Sequence, residues 1–236
     1  MLLIIIPLCL CVAMAIVFTV LSFNKTLVNL YLKSASSVLF TVTGVFCLYS
    51  LIREKSAEIP DNGLIGGFLL LLGLIFSLLG DVILGLPRLT ELKRDSLPVL
   101  IGGASYFGLA HVIYCVALIF LFGISWWVLP IIFPLSIFYV FGNKLFGKLD
   151  YKNLTVGLIA YSLIEALSFA LCFTSLLSDY SVQKLILTVG FTLFYFSDMV
   201  LMHNYFGTRK RVVSILCHST YYPAQILIAL SIYFIA

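Results

Sequence analysis

Two acidic side chains stand inside sequence that otherwise dissolves in oil. The stretch "FSLLGDVIL", residues 76–84, is apolar or small apart from Ser77 and Asp81; "FYFSDMVLM", residues 194–202, repeats the pattern around Ser197 and Asp198. A carboxylate at mid-bilayer costs about 2.5–3.5 kcal/mol on insertion scales, so such residues face a cavity or a partner more often than lipid. Two carboxyl groups in one site can divide their work. The more desolvated one keeps its proton and acts as an acid, and the other stays ionised and activates water. Glycosidases cleave an acetal this way, through an oxocarbenium-like state. A vinyl ether yields to related steps: a proton adds to the outer alkene carbon, the cation rests beside the ether oxygen, and water attacks it. The resulting hemiacetal falls apart to an aldehyde and an alcohol. Such a reaction needs an acid, a base and a water, and neither a serine nucleophile, a metal nor a cofactor.

Other polar residues fall into stripes, because helix positions three, four and seven apart share a face. One segment offers Lys33, Ser36 and Ser37, and the next Ser77 and Asp81. Further along come His111 with Tyr114, then Tyr161, Glu165 and Ser168, then Ser197 and Asp198, and last His218, Tyr221, Tyr222 and Gln225, with Pro223 positioned to bend the helix. Taken singly, each has a plainer reading. Asp81 and Asp198 are also acids near helix ends, Lys33 could snorkel to headgroups, Glu165 and His111 could be a buried structural pair, and His203 adjoins a basic loop. Convergence of six polar faces in one half of the membrane favours a site. Asp81 and Asp198 are its catalytic candidates. Lys33, Ser77, His111, Tyr114, Tyr161, Glu165, Ser197, His218, Tyr221 and Gln225 are candidates to line it or to hold substrate.

The elements that must position these residues are membrane spans. Of 236 residues, 62% are hydrophobic and only 10% charged, against roughly 25% charged in a soluble domain. A bilayer core takes about 20 mostly apolar residues per helix. Eight such runs are predicted, at about 2–23, 28–52, 63–86, 98–122, 124–141, 154–177, 182–203 and 212–235. They fill nearly the whole chain. The expected fold is therefore all-α, an eight-helix polytopic bundle forming a single integral membrane domain over residues 1–236. Barrel strands would alternate apolar and polar over about 10 residues; these runs are continuous. The first lacks a basic leader and reads as a span, not a signal peptide. The fifth is short and interrupted by Pro130 and Pro134. The first and fifth carry almost no polar residues, so six helices should surround the polar interior with two outside.

Cations crowd one set of loops. Lys25, Arg88, Lys93, Arg94, Lys144, Lys148, Lys152, Arg209, Lys210 and Arg211 follow odd-numbered spans, against Arg53, Lys55 and Lys184 on the other side. Ten against three places the former in the cytosol, with both termini opposite. At 1.5 Å per residue, Asp81 and Asp198 then sit roughly 7–8 Å below the cytosolic surface. The six cysteines all fall in spans without a C-x-x-C pair and read as small core residues. A zinc site from His111, His203, His218 and Asp81 is disfavoured, since no two of these histidines lie a helical turn apart. Asp81 and Asp198 are 117 residues apart, and "SYFGLAHVI" on the fourth span loosely echoes "TYYPAQILI" on the eighth. A 4+4 parallel repeat about the membrane normal would produce both.

The stretches "FSLLGDVIL", "GASYFGLAHVIY", "GFTLFYFSDMVL" and "YYPAQILI" occur in order on the third, fourth, seventh and eighth spans. In these the chain resembles the lysoplasmalogenase (YhhN-like) family of eight-helix membrane proteins over essentially its full length. "YLKS" on the second span matches less closely, with Ser34 where the family usually has proline. The resemblance implies hydrolysis of the vinyl ether of lysoplasmalogens to a fatty aldehyde and a glycerophospho-alcohol. It implies Asp81 and Asp198 as the catalytic pair and no cofactor. Lys33 would meet the lipid phosphate, with the substrate's head near it and its tail among the helices. The partners expected are a lysophospholipid substrate and membrane lipids, with no nucleic acid. The rival of a different class is a proton-coupled transporter of small molecules or lipids, using the same acids as a relay.

Overall fold

The computed structural model describes residues 2–21, 27–55, 59–86, 97–207 and 210–235. All regular structure among them is helical. Eight helices are long and apolar enough to cross a membrane, and the protein is an integral multi-pass membrane protein. They are α1 (Leu2–Leu21), α2 (Leu27–Lys55), α3 (Asp61–Gly85), α4 (Leu97–Phe122), α5, α6 (Thr155–Ser178), α7 (Val182–Phe206) and α8 (Arg211–Ser231). Local signals set several ends. Pro60, in extended conformation, precedes α3, with Asp61 in its first turn, where a negative charge suits the helix dipole. Ser181 caps α7 by accepting from the Lys184 N–H at 3.2 Å.

The fifth span, α5, runs over Trp126–Leu145, a few residues beyond the predicted 124–141. It begins as a 3₁₀ turn at Trp126–Val128 and becomes α-helical over Leu129–Ile137. It then widens to a π turn at Phe138–Gly142 and finishes as a short helix, Asn143–Gly147. Pro130 lies in the first turn, where its missing N–H costs nothing. Pro134 lies inside the helix and removes a hydrogen bond, and the π turn follows four residues later. The chain therefore stays helical through both prolines. The Tyr195 hydroxyl donates to the Leu135 carbonyl at 2.7 Å, binding this segment to α7.

Solvent preference is inverted relative to a soluble protein. Large apolar side chains such as Ile6, Ile16, Val45, Phe68, Phe133 and Val156 are exposed on the outside of the bundle, while Ser36, Ser77, Asp81, His111, Glu165, Asp198 and Gln225 are buried within it. Lipid solvates the first set. The second set must be satisfied by protein, since the bilayer core holds no water to do so. The neighbours form a closed circuit, α2–α3–α4–α6–α7–α8 and back to α2. Outside it, α1 packs on α2 and α8, and α5 on α6.

Small residues let the α3–α4 pair approach closely, the usual device where lipid supplies no hydrophobic drive. A Cβ on Gly73 would lie 2.2 Å from the Tyr114 ring, and one on Gly80 would lie 2.8 Å from the Phe107 ring. Trp126 and Trp127, 87% and 73% exposed, open α5, where indoles suit a membrane–water boundary. Of the loop cations, Lys25, Arg88, Lys93, Arg94 and Arg209 lie outside the described residues, as do the side chains of Lys55 and Lys152.

Candidate functional site

The polar residues gather into two acid clusters and a short chain between helices. In the first cluster, α3 supplies Asp81. Its Oδ1 pairs with the Lys33 ammonium of α2 at 2.9 Å. Its Oδ2 accepts from the Ser37 hydroxyl at 2.6 Å and from the Tyr221 hydroxyl of α8 at 2.7 Å. Lys33 and Ser37 reach Asp81 together because they lie one turn apart on α2. The group is buried, with Lys33 7% and Asp81 2% exposed. An ammonium in direct contact and two hydroxyl donors surround this carboxyl, the charge-assisted arrangement that makes such bonds strong.

In the second cluster, α7 supplies Asp198. The Tyr161 hydroxyl of α6 donates to its Oδ2, and the Ser197 hydroxyl lies 3.4 Å from its Oδ1. Glu165, one turn beyond Tyr161, and His111 of α4 complete the group. One ligand atom each from His111, Glu165 and Asp198 falls within 4.8 Å of the others. His111 Nδ1 lies 3.1 Å from the Ser168 hydroxyl, which also reaches the Ile164 carbonyl. One imidazole nitrogen and two carboxylates could also ligate a divalent ion. It is this set, and not His111 with His203 and His218, that the fold assembles. His203 instead reaches Asn143 at 3.3 Å, and His218 packs against Phe18 of α1, ring centroids 4.8 Å apart.

The remaining candidates form a chain across three helices. The Ser77 and Tyr114 hydroxyls are 3.3 Å apart, and Tyr114 donates to Gln225 Oε1 at 3.4 Å. Phe107 and Phe194 stand between the acid clusters. Tyr221 packs edge-on to both rings, at 5.9 and 5.5 Å, and Phe194 also meets the His111 ring at 4.5 Å. The clusters share no direct hydrogen bond among the described residues, but Asp81 and Lys33 lie within electrostatic reach of Asp198.

A cavity of about 340 Å³ opens between α3, α4, α6 and α7, at the bundle end that holds the 86–97 and 147–155 connections. Its walls are apolar, among them Leu84, Leu100, Phe107 and Phe206. Ser105, Tyr161 and Asp198 bring polar side chains to it. Asp81 and Lys33 are not among the lining residues. The sequence reading placed all polar faces around one space. The fold instead gives one acid the cavity and the other a cation.

Three contributors were not picked from sequence as site residues. Ser37 and Ser168 stood on polar faces but were indistinguishable there from any helix serine. Tyr139 belongs to α5, which was set outside the site. Its buried hydroxyl lies within electrostatic reach of Glu165 and Asp198, and the π turn that carries it is the signal. Such turns cluster at functional sites, but their position cannot be read from Pro134 alone.

No curated protein and no solved structure matches this chain. A model of the YhhN family matches residues 28–232, which span both acid clusters, the Ser77–Tyr114–Gln225 chain and the cavity. The chain belongs to the YhhN family.

Proposed function

We propose that this protein is a membrane-embedded ether hydrolase. It cleaves the vinyl ether of lysoplasmalogen-type lysophospholipids to a fatty aldehyde and a glycerophospho-alcohol. The observation that carries the reading is Asp198 at the wall of a greasy cavity, with Tyr161 bonded to it. An alkyl chain suits such walls, and a carboxyl group beside the chain is where proton-transfer chemistry on a vinyl ether would occur. Family membership supports the same reaction class.

The two aspartates divide the work. Asp198 meets the reacting ether. Asp81, fixed as an anion by Lys33, contributes a negative charge that favours the cation forming beside the ether oxygen. The cavity opens at the bundle end bearing the cation-rich loops, so the active site faces the cytosolic leaflet and the lipid's phosphate finds cations there. Lys33, paired with Asp81, is tied to the acid and not to the headgroup. The exchange of helices between clusters, α2 and α3 with α8 against α6 and α7 with α4, is what a 4+4 repeat would give.

The test is incubation of purified protein in detergent with lysoplasmalogen and, as control, with a saturated lysophospholipid. Aldehyde should form from the first alone. A proton-coupled transporter would release none and would move solute only across a sealed membrane.

A further inference from the structure

Glu165 is the buried ionisable group that the two-aspartate scheme leaves without a task. It is 1% exposed, and neither carboxyl oxygen meets a hydrogen-bond partner. The same holds for Nε2 of His111. One ligand atom each of Glu165, His111 and Asp198 lies within 4.8 Å of the others, and Asp198 carries this cluster to the cavity wall.

We propose that Glu165 is the proton donor of the reaction and works as a pair with Asp198; this rests on the hydrolase reading above. Three features assign the roles. First, the donors are unevenly shared. Asp198 accepts from Tyr161 and Ser197, the setting of an ionised carboxylate, whereas Glu165 faces no donor, the setting of a carboxylic acid. Second, His111 offers an unpartnered nitrogen. In the tautomer whose Nδ1–H donates to the Ser168 hydroxyl, Nε2 is an acceptor. A protonated Glu165 can satisfy Nε2, directly or through one water, and a carboxylate cannot. Third, Asp81 is committed elsewhere. Lys33, Ser37 and Tyr221 occupy it, and Phe107 and Phe194 stand on the side towards Asp198.

The steps balance without any added reagent. The Glu165 O–H bond breaks as its proton joins the outer alkene carbon, leaving the cation at the carbon bearing oxygen. Water adds to that carbon, and its proton passes to Asp198. In the hemiacetal, Glu165 takes the hydroxyl proton as the C=O bond forms. Asp198 returns its proton to the departing glycerol oxygen as the old C–O bond breaks. Glu165 ends protonated and Asp198 ionised, as they began.

The test compares purified Glu165→Gln with the wild type, using lysoplasmalogen as substrate. Glu165→Gln keeps the shape and should lower kcat by about 10²–10⁴-fold, the range for acid–base groups, with KM unchanged. A second measurement needs no variant. The infrared spectrum of wild-type protein at pH 7 should show a protonated-carboxyl band that shifts when only glutamate is labelled with carbon-13. The other glutamates, Glu54, Glu58 and Glu91, lie outside the predicted spans. Near-wild-type turnover in Glu165→Gln, or no such band, overturns the assignment. So does an equivalent of bound divalent metal that Glu165→Gln loses, since Glu165 would then be a ligand. If the wild type releases no aldehyde, the hydrolase reading itself falls, and the infrared band alone decides whether Glu165 carries the proton.

Discussion

Asp81 and Asp198 sit on α3 and α7, across one circuit of helices from each other, and both are buried, at 2% and 4% exposure. Their surroundings differ in one decisive respect. Asp81 has an ammonium at 2.9 Å and hydroxyl donors on its other oxygen. Asp198 has a phenol, a serine, a second acid and an imidazole, and of the two aspartates it is the one that lines the cavity. Each cluster draws two helices from one half of the chain and one from the other. On the proposed reading, the same residue type thus serves as a fixed charge in one place and a reactive group in the other. What decides is the cation and the access to open space.

The largest effect should come from the reactive side. Asp198→Asn is expected to lower kcat by about 10²–10⁴-fold while the protein still binds lysolipid. Steady-state kinetics beside a lysolipid binding isotherm checks this, and loss of binding with unchanged kcat would reverse the comparison. On the other side the main effect should fall on stability. Lys33→Met alone strands the Asp81 charge and should cost about 3–5 kcal/mol, whereas Lys33→Met with Asp81→Asn should recover most of that. Unfolding in detergent, run as a double-mutant cycle, reads the difference. Equal losses in the single and double variants would show that the ion pair does not hold the cluster.

Smaller changes sharpen the picture. Tyr161→Phe removes one donor to Asp198 and should destabilise by about 1.5–3 kcal/mol, the value of a hydrogen bond to a charged group, read as a lower unfolding midpoint with a fall in kcat beside it. Gly73→Ala drives a methyl into the Tyr114 ring and should destabilise by about 1–3 kcal/mol. A neutral result there would mean that α3 and α4 separate more readily than their packing implies. The smallest effect belongs to the Lys184–Asp179 pair, 2.5 Å long but with the aspartate side chain 72% exposed. Lys184→Ala should cost about 0.2–1 kcal/mol and leave turnover untouched.

Much of this was legible in the sequence, because a bilayer imposes a length and a polarity that leave a plain record. The spans begin and end within a few residues of their predicted limits. What was not legible in the fifth was its continuity: two prolines read as interruptions, whereas one sits in the first turn and the other is followed by a π turn. That Asp81, Asp198 and Glu165 face the interior of the bundle was legible. Partnership was not. Periodicity tells which side of a helix carries Glu165, but not that α4 would bring His111 to it, nor that Phe107 and Phe194 would fill the space between two acids. Those facts depend on how helices pack, which is set by side-chain volumes at contacts distant in sequence.

The central claim is that a buried acid protonates the alkene carbon of a vinyl ether held in the cavity. Purified wild-type protein in heavy water with lysoplasmalogen tests it, with the aldehyde reduced promptly to the alcohol to stop exchange. The account predicts one deuterium on the carbon next to the former carbonyl, and none of this product from Asp198→Asn. Aldehyde without that deuterium, or no aldehyde from the wild type, would contradict it.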